Sequence, residues 1–101
     1  MIRHIVFFRL AESAQGNTRL ENARIIKEML EALKSQIPQI CSIEVGLNFN
    51  DGPTSWDVAL FSEFNSREDL NIYQEHPSHK KVAQFVASVR TDRAVVDYEV
   101  K

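Results

Sequence analysis

Residues 2–10, IRHIVFFRL, constrain the fold more than any other stretch of the chain. The segment is short and rich in β-branched and aromatic side chains, which suit a pleated strand. Alternation puts Ile2, His4, Val6, Phe8 and Leu10 on one face and Arg3, Ile5, Phe7 and Arg9 on the other. Both faces are apolar in the middle, so this strand belongs at the centre of a sheet covered on two sides.

The elements that follow supply one of those covers. AESAQGN, 11–17, reads as a loop. Thr18-Arg19-Leu20-Glu21 fits a capping box, in which hydroxyl and carboxylate satisfy free N–H groups at a helix start. The helix runs to about Gln36 with Leu20, Ala23, Ile26, Met29, Leu30, Leu33 and Ile37 as its apolar stripe. Pro38 ends it. ICSIEVGLNF, 40–49, is a second strand, with Ile43, Val45 and Leu47 on one face. NDGPT is a turn, and SWDVALFSEF, 55–64, a third strand. Ser66 caps a second helix that stops near His76. Pro77 suits the first position of a new helix over about 77–89, with Val82, Phe85, Val86 and Val89 inward. RAVVDYEV, 93–100, is the last strand. The order β-α-β-β-α-β predicts a single α+β domain, 1–101, with a ferredoxin-like four-stranded antiparallel sheet and helices on one face.

A chain of 101 residues buries only about two-thirds of its unfolded surface. The sheet face away from the helices also carries apolar groups. Burying about six such side chains at ~1.5–3 kcal/mol each is a large incentive, and a patch that size rarely stays wet on a monomer. The expectation is a homodimer with the two sheets face to face.

Charge excludes some partners. The net charge is −2 and acids and bases intermix, without the basic stripe that phosphate neutralisation needs, so no nucleic-acid partner is expected. The apolar runs fall far short of the roughly 20 residues of a membrane span, so no membrane partner is expected either. Charges interrupt the apolar N-terminus, which does not read as a signal peptide. Cys41 is the only cysteine, so no intrachain disulfide forms; with no leader, the chain is placed in the cytoplasm.

The opening HIVFFRL, the element order, YQEHPSHKKV at 73–82 and the terminal VVDYEV together resemble the stress-responsive dimeric A/B-barrel domains, over nearly the whole chain. The resemblance implies that two ferredoxin-like protomers join their sheets into a barrel. It implies a dimeric module that binds a small molecule or serves a structural role. One branch of that family holds polyketide cyclases of the olivetolic acid cyclase type, which close a ring by an aldol step without a cofactor. Their first-strand His maps onto His4, their Tyr onto Tyr73, and the second His of their His-Pro-x-His onto His79. The alternative reading is therefore a cofactor-independent enzyme, a cyclase-like aldol or proton-transfer catalyst or a cofactor-free oxygenase.

The residues themselves admit three readings of YQEHPSHKK. As a catalytic cluster, a neutral His79 takes a proton from a carbon acid, Tyr73 hydrogen-bonds the developing oxyanion, and His4 orients the substrate, provided its face is the helix side. As ordinary structure, His79 bonds a carbonyl left free at the helix break, while Tyr73 packs its ring in the core and bonds outward. As a metal site, His76 and His79 would need Glu75 or His4 as a third ligand. That pattern is weak without more cysteines, and no metal is expected. The sequence has no flavin, NAD or phosphate-loop fingerprint, so no cofactor is expected. Trp56 reads as an anchor at the dimer rim, Arg3 and Arg9 as partners of Glu63, Asp97 or Glu99, and Cys41 as inert packing.

Overall fold

The computed structural model describes residues 1–101. Strand β1 (Ile2–Leu10) leads through a small hairpin, β2 (Ser13–Ala14) and β3 (Asn17–Thr18), into helix α1 (Arg19–Ala32). Strands β4 (Ile40–Leu47) and β5 (Val58–Phe64) follow, then helices α2 (Arg67–Glu75) and α3 (Pro77–Val89), and β6 (Arg90–Glu99) closes the chain. The four long strands form one antiparallel sheet in the order β4-β5-β1-β6, with β1 central as its double apolar face requires. This is the expected ferredoxin-like arrangement.

Local chemistry sets the boundaries. The capping box forms: the Glu21 backbone N–H donates to Thr18 Oγ1 at 3.2 Å, and the Thr18 N–H donates to Glu21 Oε1 at 2.8 Å. Those bonds hold the Glu21 carboxyl below the usual carboxylate range. Helix α1 ends at Ala32, earlier than expected, because Leu33–Ser35 tighten into a 3₁₀ turn ahead of Pro38. Ser66 caps α2 by accepting from Asp69 N at 3.1 Å.

Besides the early end of α1 and of β4 (at Leu47 instead of 49), three further segments differ from the sequence expectation. AESAQGN is a tight hairpin, because Gln15 (φ 53°) and Gly16 (φ 77°) both adopt the left-handed conformation that a two-residue turn needs. Buried Asn22 ties that hairpin to α1 by donating to Ala14 O at 3.0 Å. Strand β5 begins at Val58 instead of 55: Asp57 turns aside to accept from Leu10 N at 2.7 Å, and Trp56 swings to the outer face beside Phe7. Strand β6 begins at Arg90, since α3 passes into extended backbone without a loop.

The core lies between sheet and helices. Ile2, Val6, Phe8 and Leu10 of β1 meet Ile26 and Leu30 of α1 and Val82, Val86 and Val89 of α3. Two polar residues share this inner face, His4 and Ser62. The opposite face is half open: Phe7, Val96 and Tyr98 are exposed, Ile5 and Phe61 half-buried, and Arg3 pairs with Glu63 at 3.2 Å. The sheet edges are unequal. At β4, Lys27 Nζ donates to Val45 O at 2.6 Å and Glu31 Oε2 accepts from Val45 N at 3.0 Å, so α1 side chains block the edge. At the other edge, nearly all of β6 is exposed.

Candidate active site

The inner face of β1 carries His4 under the junction of α2 and α3. That junction is a sharp break. His76 is extended (φ −64°, ψ 135°), as the residue before a proline prefers. Its Nδ1 accepts from Ser78 N at 3.0 Å, so His76 is the N-cap of α3. The break folds α3 back so that His79 returns over Tyr73, with ring centroids 4.4 Å apart. Tyr73 in turn stands edge-on to His4 at 6.2 Å and against Phe64 at 5.0 Å. His4, Tyr73 and His79, scattered over 75 residues of sequence, therefore form one cluster.

Both imidazoles are oriented by their Nδ1 atoms. In His79, Nδ1 donates to the Gln74 carbonyl at 3.2 Å, the helix-break bond expected from sequence. In His4, Nδ1 bonds the Asp97 carboxylate, directly opposite on β6. A carbonyl and a carboxylate only accept, so both Nδ1 atoms carry a proton, and each ring, when neutral, keeps its lone pair on Nε2. Neither Nε2 makes a hydrogen bond, and neither is sealed from solvent. Burial lowers the pKa of His79, with opposing help from its bond to Gln74 and further lowering by the charges of His4 and Arg93.

Tyr73 departs from the expectation that it bonds outward. Its side chain is fully buried and its hydroxyl has no hydrogen-bond partner. Burial pushes its pKa well above the usual phenol value, with a smaller opposing effect from the charge of Arg93. A buried, unsatisfied hydroxyl is uncommon in a native fold.

A cavity of about 110 Å³ opens beside this cluster. His4 and His79 line it, and Tyr73 lies one layer behind them. Its apolar wall is Val6, Phe8, Leu30, Leu60 and Val86; the exposed residues Arg90 and Arg93 stand at its rim. An engineered apolar cavity of about 150 Å³ holds benzene, so this one suits the reacting end of a small molecule.

Asp97 was legible in the sequence only as a partner for an arginine. Its bond to His4 follows from the β1–β6 register, which no local motif encodes. Arg9, also expected to pair with an acid, lies over the Trp56 ring at 4.4 Å with its Nε buried and unpartnered. Glu75 pairs with Lys80 at 3.1 Å.

Comparison with known proteins places this geometry. The family model described as "Stress responsive A/B Barrel Domain" matches residues 2–100. The chain belongs to the stress-responsive A/B barrel domain family. A curated member of the family, the stress-response A/B barrel domain-containing protein DABB1 of Arabidopsis thaliana, is 24% identical over 99 residues, covering 97% of this chain and 46% of the relative. The chain thus spans about half the length of that A/B barrel protein. Among solved structures, a dimeric protein of unknown function with a ferredoxin-like fold from Bacteroides fragilis is 39% identical, with a TM-score of 0.88 over 98% of this chain and 95% of that one. A hydroxynitrile lyase from Passiflora edulis shares the fold at 19% identity, with a TM-score of 0.82 over 99% of this chain and 93% of that one. No helix of this A/B barrel domain is long and apolar enough to cross a membrane.

Proposed function

We propose that the His4/Tyr73/His79 cluster is a cofactor-independent acid–base site acting on a small carbonyl compound, carried in a homodimer that joins two sheets by their outer faces. The observation that supports it is the pair of cavity imidazoles, each with Nδ1 committed and Nε2 left as a lone pair. Two such bases beside an unpartnered buried phenol exceed what packing alone requires.

The roles follow from the surroundings. His4 Nε2 removes a proton from the carbon next to the carbonyl: the C–H bond breaks, the N–H bond forms, and the electron pair moves onto the carbonyl oxygen. The resulting imidazolium is steadied by the Asp97 carboxylate. The Tyr73 hydroxyl keeps its donor uncommitted but is sealed behind the two imidazoles, so it serves the oxyanion only when substrate binding opens the layer between them. His79, kept neutral by burial, accepts from a substrate hydroxyl or enol. Return of the proton from His4 completes the cycle. This shifts the base from His79, the sequence-based choice, to His4, because His4 is the imidazole with a carboxylate behind it.

Deuterium incorporation into butanone in heavy water, followed by NMR, tests the reading. The wild type should exchange the α protons faster than buffer, and His4→Ala should lose about 10²-fold or more of that catalysis while its circular dichroism is unchanged. Equal exchange by wild type and His4→Ala would refute it. The dimer is supported by the exposed Phe7, Val96 and Tyr98 and by the dimeric relative. Light scattering at micromolar concentration should give twice the monomer mass; a purely monomeric species would sink that part.

A further inference from the structure

We propose that the ligand of this cavity is anionic: a small keto carboxylate whose carboxylate is held by Arg90 and Arg93 while its carbonyl end lies at His4 and His79. The proposal rests on the reading of the cavity as a ligand site, but it does not depend on proton transfer.

Three observations converge on it. First, Arg90 and Arg93 line the cavity, and neither joins any ion pair in the chain. Three nearby acids are already paired: Asp97 holds His4, Glu99 pairs with Arg67 at 3.3 Å, and Glu75 with Lys80 at 3.1 Å. Second, the placement is built into the backbone. Arg93 sits opposite Phe8 of the cavity wall, on the same face of β6 as Asp97. Arg90 is the C-cap residue of α3, where the chain turns directly from helix into strand. Both arginines therefore stand at the exposed rim of a cavity that His4 and His79 also line. Third, the charge of Arg93 is felt inside, where it disfavours protonation of His79 and opposes the rise in the Tyr73 pKa. A bound carboxylate would neutralise that charge at the rim.

The spacing sets the ligand's length. Arg93 and Asp97 are four residues apart along β6, roughly 13 Å of strand. An arginine side chain reaching inward spans about half of that, so a carboxylate and a carbonyl separated by about two carbons bridge the remainder. A planar guanidinium fork matches a carboxylate with two parallel hydrogen bonds, and the apolar wall accepts the carbon body between the ends.

Levulinate and its methyl ester make the test, because they share the keto end and differ in charge. Isothermal titration calorimetry at low salt, with circular dichroism of each variant, compares the wild type, Arg93→Met and Arg90→Met. Wild type should bind levulinate with a Kd on the order of 1 mM and at least about tenfold more tightly than the ester. Arg93→Met should shrink that preference to about threefold or less, and added salt should weaken levulinate alone. Saturable binding of levulinate should also move the His79 ring signals in the NMR spectrum. An ester that binds as well as the acid, a preference that survives both substitutions, or no saturable levulinate binding up to about 10 mM would each overturn the anionic assignment. Butanone exchange by the wild type then still decides the proton-transfer reading, since that probe carries no charge.

Discussion

Replacing Tyr73 by phenylalanine should make the protein more stable and less active. The ring stays, with its contacts to His79 at 4.4 Å, Phe64 at 5.0 Å and His4 at 6.2 Å. Only the hydroxyl goes, and that hydroxyl is buried without a partner. A buried hydroxyl lacking a hydrogen bond costs about 1–3 kcal/mol on the scale of protein mutations. Deleting it should recover about 1–2 kcal/mol, allowing for slight local repacking. For a domain of this size each kcal/mol moves the midpoint by about 4–8 °C, so Tm should rise by about 4–16 °C. Urea titration should show a higher midpoint at unchanged slope, the sign of a change in stability alone. The same variant should lose most of its catalysis of butanone exchange, since a buried unpaired polar group retained for function is what stability–activity trade-offs remove. A loss of about 1 kcal/mol or more would refute the reasoning, because it would mean the native hydroxyl is hydrogen-bonded.

Three other perturbations address other parts of the account. Asp97→Asn should cut exchange by about 10²–10⁴-fold with little change in fold, because the charge behind His4 is lost while a side chain of the same shape remains; steady exchange rates in the variant would argue against His4 as base. His79 has a folded pKa below its unfolded value, so the unfolded chain binds more protons below about pH 6.5. Its contribution is present above that pH and is lost as pH falls through the folded pKa. His79→Asn, which keeps a donor for Gln74 O, should flatten that acid-side decline in urea-derived stability, and parallel curves would contradict it. Glu31→Ala frees the Val45 N–H and a partner of Lys27, and should cost about 1 kcal/mol, discounted for the half-exposed setting, with increased self-association through the unblocked β4 edge as the accompanying sign in sedimentation.

The fold was legible because its signals are local. The alternating faces of IRHIVFFRL, the Thr18–Glu21 box, and the stops at Pro38 and Pro77 each act within a few residues, and each sits where the structure uses it. The errors were local too: Asp57 leaves β5 to serve the backbone of Leu10, a tertiary demand that alternation does not reveal. The site was only half legible. Pro77 announced a break, and histidines near a break suggested a cluster. That His4 joins them depends on which face of β1 turns toward the helices. That Asp97 stands behind His4, and that Arg93 caps the same pocket, depends on the β1–β6 register, with a bulge between Arg9 and Leu10. His76 shows the converse: proximity in sequence made it a candidate ligand, while the structure spends its Nδ1 on capping α3.

The central claim is that two cavity imidazoles keep their Nε2 lone pairs because Asp97 and Gln74 O hold their Nδ1 protons. Long-range proton–nitrogen NMR of the imidazole rings measures this directly, at about pH 8 where an ordinary histidine is neutral. The account expects His4 and His79 both as Nδ1–H tautomers, with His4 changing its nitrogen shifts in Asp97→Asn. If either ring carries its proton on Nε2, that ring has no base to offer the cavity, and the proposed chemistry fails.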